Sequence, residues 1–136
     1  MEIWFIYSIL AMVFWGFWGF LPKLSLAHIN PQSAQIWQSL GGAIAAVIYL
    51  FFVSKTLQTA PLGIASGIAT GLFAFGGTLC FIFAMSIGKS SVVVMMTALY
   101  PLVTMLLSFI FLHETLTITN MIGVILAIIA IMLFSH

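Results

Sequence analysis

SSVVVMMTALYPLVTMLLSFIFLHETLT, residues 90–117, holds 23 consecutive residues, Ser90 to Leu112, without a formal charge. At about 1.5 Å per residue such a helix outreaches a hydrocarbon core of about 30 Å. The stretch predicts a membrane helix over 91–112, and Pro101 stands near its middle. Proline has no N–H and its ring crowds the residue four positions back, so the carbonyl of Thr97 is expected to lose its helical partner. In lipid a freed carbonyl is costly unless protein, water or ligand satisfies it, which predicts that this helix faces other helices or a cavity. Thr97, Pro101, Thr104 and Ser108 recur at helical spacing with Tyr100 at the margin, and that face is a candidate transport path.

Working outward, the whole chain fits the same environment. It has 136 residues, 64% hydrophobic and 4% charged, too few ionic groups to cover a soluble domain. The five charges, Glu2, Lys23, Lys55, Lys89 and Glu114, fall at the edges of apolar runs and mark where the chain leaves the hydrocarbon. A formal charge of +1 and the absence of a basic cluster argue against nucleic acid as a partner. One cysteine, Cys80, excludes an internal disulfide and reads as a small buried hydrophobe. Met1-Glu2 has no basic region and no cleavage site after it, so the first apolar run is expected to stay as a transmembrane helix.

Five helices are expected in one transmembrane domain of residues 1–136, at about 3–21, 32–53, 61–86, 91–112 and 118–134. Pro22 with Lys23 is read as closing the first, and Pro61 as opening the third. Trp15 and Trp18 lie three apart on helix one and serve either an interfacial belt or the wall of an aromatic pocket. On helix two, Gln35, Gln38, Gly42, Ala46 and Tyr49 share a face, where a glutamine acts either as interhelical glue or as a ligand contact. Gly63, Gly67 and Gly71 repeat every fourth residue on helix three, and Gly123 opens a similar small-residue line on helix five, both suited to close helix packing. Gly88 is read as a left-handed helix end, and Glu114 as the complement to the positive N-terminus of helix five.

The order of parts, a proline-centred helix with "LYP", then "HETLT", then "NMIGVILAIIAIML", resembles the repeat unit of the EamA-type family in the drug/metabolite transporter superfamily. Glu114, Leu116, Thr117 and Gly123 fit its closing pattern, and Trp15-Gly16 fits its first helix. The resemblance implies an all-α membrane protein: a five-transmembrane-helix bundle, one such repeat, completed by dimerisation. Full-length members look like two such units fused in opposite orientations, so a lone unit is expected to pair with a second copy, preferably antiparallel, or with a related membrane chain. Where many members carry an arginine on helix two, this chain has Trp37-Gln38-Ser39, which speaks against an anionic cargo.

No charged residue lies within any of the five predicted spans, so none offers the ionisable group that ordinarily marks an ion path. Aromatic faces, glutamine and hydroxyls instead suit a small neutral or zwitterionic metabolite, or an organic cation over Trp15, Trp18 or Tyr100. The reading is therefore a transporter of a small organic solute in a lipid bilayer, in a prokaryotic inner membrane, working by alternating access at a subunit interface. Two others are open: a non-transporting assembly or regulatory subunit, and a translocator of lipid-linked headgroups. Enzyme activity, a cofactor and a bound metal are not expected, since His28, His113 and His136 are far apart and no nucleophile–base pair is visible.

Overall fold

A computed structural model of the chain describes residues 3–53, 56–115 and 117–134, apart from the side chains of Asn120, Ile131 and Phe134. Glu2, Lys55, Leu116 and His136, used in the reading above, lie outside the described residues. Six helical segments follow one another: α1 Ile3–Leu26, α2 Pro31–Val53, α3 Pro61–Ile87, α4 Ser90–Thr97, α5 Tyr100–Phe111 and α6 Ile118–Phe134. Among the described residues there is no strand. Helices α1, α2 and α3 and the run Ser90–Phe111 are each long and apolar enough to cross a bilayer. The 17 residues of α6 stand at the lower limit of that range, about 17. The protein is an all-α membrane protein, and its chain divides into two compact units, Met1–Ile87 and Gly88–His136.

In the first unit α1, α2 and α3 pack on one another. Helix α1 does not stop at Leu21, as the sequence predicts, but carries Pro22 and Lys23 on to Leu26. A proline so near the end forfeits one backbone hydrogen bond, and its fixed φ suits the helix. Packing offsets the loss: Pro22 is buried, and Lys23 Nζ donates to the Met85 carbonyl at 3.0 Å. That carbonyl is among the last four of α3, which lack intrahelical partners and favour a cation. Across the turn, Asn30 caps α2, its Oδ1 accepting from the Ser33 N–H at 2.8 Å. Pro31 then fills the first helical position, where its missing N–H costs nothing, one residue earlier than expected.

All the buried side chains of this unit gather at one end, where the C-terminus of α1, the N-terminus of α2 and the C-terminus of α3 meet. Pro22, Ala34, Gln35, Phe81, Ile82 and Met85 form this core, with Ile82 and Met85 at 0% exposure. Farther along the helices the large side chains are open, Phe51 at 80% and Phe73 at 83%. Apolar side chains left open in this way suit contact with lipid or other helices. Cys80, expected to be buried, is exposed on α3. It stands about 200° around the helix from Ile82, away from the core.

In the second unit the single helix expected over 91–112 is two helices separated by Ala98 and Leu99. The Ala98 N–H still reaches Val94 O, four residues back at 3.0 Å, but the Leu99 N–H reaches only three back, to Met96 O at 3.3 Å. Pro101 has no N–H to offer Thr97, and Leu102 donates to Leu99 O, three residues back, at 2.9 Å. Pro101 thereby falls in the first turn of α5, where a proline is tolerated. At the other end of α5 the Leu112 N–H closes on Ser108 O at 2.9 Å, and His113 takes φ 54°. The left-handed position expected at Gly88 lies here instead: no described glycine has a positive φ.

Candidate functional site

A groove opens in each unit. In the first unit it opens beside the core, with a volume of about 300 Å³. Trp18, Pro22 and Ser25 of α1 line it with Trp37 and Gln38 of α2 and Ile82 of α3. The Trp18 ring stacks on Phe81, with centroids 5.1 Å apart and planes 22° from parallel, which fixes one aromatic wall. Two indoles, an amide and a hydroxyl around an otherwise apolar hollow suit a small, partly apolar solute with a few hydrogen-bonding groups.

The groove of the second unit, about 370 Å³, runs along α5. Tyr100, Pro101, Thr104, Met105 and Ser108 line it at helical spacing, and Glu114 and Thr115 close it. Thr104 Oγ1 donates to the Tyr100 carbonyl at 3.3 Å. Glu114 is not in the first turn of α6, which holds no acidic residue. The turn at His113 brings it back toward α5, with its N–H 3.4 Å from Ser108 O.

Of the residues the sequence singled out, Tyr100, Pro101, Thr104 and Ser108 stand together in this second groove. Thr97 is not among its lining residues; its hydroxyl turns onto its own helix, 2.9 Å from Val93 O and 3.0 Å from Val94 O. Trp18 and Gln38 meet in the first groove, whereas Trp15, 61% exposed, lines neither. It is Gln35 rather than Gln38 that bridges helices, its Nε2 lying 3.4 Å from the Phe75 carbonyl of α3. At Gly67, Gly71 and Gly123 an added Cβ would meet nothing within 4 Å, and at Gly63 only Ala60 Cβ at 3.9 Å. Among the described residues of its own unit, each of these stripes is therefore open at its Cβ positions.

Sequence reasoning passed over Trp37, Ser25 and Met105, and assigned Glu114 to a helix end. Trp37 was within reach, since it shares a helical face with Ala34 and Gln38. The return of Glu114 depends on one backbone angle at His113, for which periodicity gives no signal. Among the described residues no three His, Cys, Asp or Glu side chains come together to hold a metal ion.

Comparison with known proteins places the chain. A protein of Methanocaldococcus jannaschii described as uncharacterized is 33% identical over 135 residues, covering 99% of this chain and 98% of the relative. No solved structure matches. The EamA-like transporter family matches residues 2–136. The protein is thus a member of the EamA-like transporter family, matched along nearly its whole length.

Proposed function

We propose that the chain is half of a transporter, moving a small organic solute by alternating access at the interface between two copies inserted in opposite orientations. One observation carries this: among the described residues of its own unit, a Cβ added at Gly67 or Gly71 meets nothing within 4 Å and one at Gly63 only Ala60, so a face suited to close helix contact has room for a second helix. A single family unit spans the chain, and pairing two such units in opposite orientation would supply the inverted repeat on which many transporters rely. The solute path in this reading uses the grooves at Trp18 and Gln38 and at Tyr100, Thr104 and Ser108. The setting is a prokaryotic inner membrane.

The open stripe equally suits a subunit that binds helices of another membrane protein and transports nothing. Two measurements separate the readings. Tags on the two termini, probed in intact cells, are expected to be accessible from both sides of the membrane; a single orientation overturns the antiparallel pair. The purified protein in liposomes is expected to release small organic solutes. Silence toward every cargo, with a stable complex formed on another chain, makes it the subunit.

A further inference from the structure

We propose that the groove along α5 binds a small organic cation, with Glu114 as its counter-charge. The proposal deepens the transport reading by naming a cargo class, and it rests on that reading for the cargo's passage.

The charged and aromatic groups lining this groove favour a cation. Glu114 supplies a carboxylate, the one ionisable acid or base lining either groove among the described residues besides the Tyr100 phenol. Tyr100 supplies an aromatic face, 55% exposed, of the kind that attracts an ammonium placed within about 6 Å of the ring. Met105 adds a polarisable thioether. The Thr104 hydroxyl donates to the Tyr100 carbonyl at 3.3 Å, and its oxygen can still accept a hydrogen bond from a ligand. No lysine or arginine lines the groove. An anion would meet Glu114 unshielded, and an uncharged solute would leave the carboxylate unused.

The placement of Glu114 is built into the backbone. A chain running straight from α5 to α6 would carry residue 114 past the end of the α5 face. His113 instead adopts a left-handed conformation that a residue with a β-carbon seldom takes, and Glu114 returns over Ser108. Carboxylate and aromatic ring thus belong to one groove, although fourteen positions apart in the sequence.

The test uses the purified full chain and calorimetric titration with choline and with its carbon isostere, in which the ammonium nitrogen is replaced by carbon. Wild-type protein is expected to bind choline at least tenfold more tightly than the isostere. Glu114→Gln should weaken choline binding tenfold or more and leave the isostere unchanged, and Tyr100→Leu should weaken choline several-fold. Equal affinity for the two probes in the wild type overturns the proposal without any variant, so a misfolded Glu114→Gln cannot hide its failure. Unchanged choline binding by a folded Glu114→Gln also overturns it. The same probes in liposomes keep the two claims apart. Choline bound but not moved sinks the transport reading and leaves the cation site standing; uncharged solutes moved while choline is not bound sinks the site alone.

Discussion

Gln35 is 2% exposed, and its amide nitrogen lies 3.4 Å from both Ser39 Oγ and the Phe75 carbonyl, the long edge of hydrogen-bond range. Its Oε1 is buried and finds no hydrogen-bond partner among the described residues. Hydrogen bonds between membrane helices contribute about 0.6 kcal/mol on average, while an orphaned buried acceptor costs about 1–3 kcal/mol. The orphan outweighs the bridge. Gln35→Leu, of similar volume, should therefore raise stability by about 1 kcal/mol, seen as a melting temperature a few degrees higher in detergent. A melting temperature several degrees lower would mean that Oε1 is satisfied by an ordered water and that the amide is retained for it. Lys23 is the contrasting polar group: its ammonium lies 3.0 Å from a carbonyl at the end of α3, where the helix dipole favours a cation.

At the scale of the element, the break between α4 and α5 follows from Pro101 and from the hydrogen bond at Leu99, which spans three residues instead of four. Pro101→Ala restores the N–H that could reach Thr97 O, so Ser90 to Phe111 should join into one helix. The fused helix should be more stable by about 1 kcal/mol, from the regained bond and alanine's propensity. If the break matters to transport, flux in liposomes should fall although the protein melts higher; unchanged flux would make it a feature of folding alone. The proline itself was plain in the sequence, but whether it would kink the helix or divide it was not. That outcome depends on the three-residue bond at Leu99, and neither Ala98 nor Leu99 signals it. Pro22 was misread for the opposite reason. Its cost is offset by burial against α3 and by the Lys23 bond across 62 positions, contacts no local pattern contains. The α5 face was legible because it repeats at helical spacing. Glu114 was not, because it joins that face through a turn.

For the whole molecule, what one chain leaves uncovered is as informative as what it buries. Helix spans could be read from apolar length, but which surfaces would find a neighbour could not. Gly67→Leu tests the open stripe. A Cβ there meets nothing within 4 Å among the described residues of its unit, so the folded protomer should keep its helicity and melting behaviour, while any close-packed oligomer should fall apart on a native gel. An oligomer that survives would remove the stripe from the interface. Helix α3, which carries the stripe, runs 27 residues without a charge. Fully helical, it is about 40 Å long, about 10 Å more than the bilayer's apolar interior. A helix too long for its membrane leans, here by roughly 40° if tilt alone absorbs the mismatch. The angle at which the stripe meets a partner is then set partly by lipid chain length, and a thicker bilayer would stand the helix up and re-aim it.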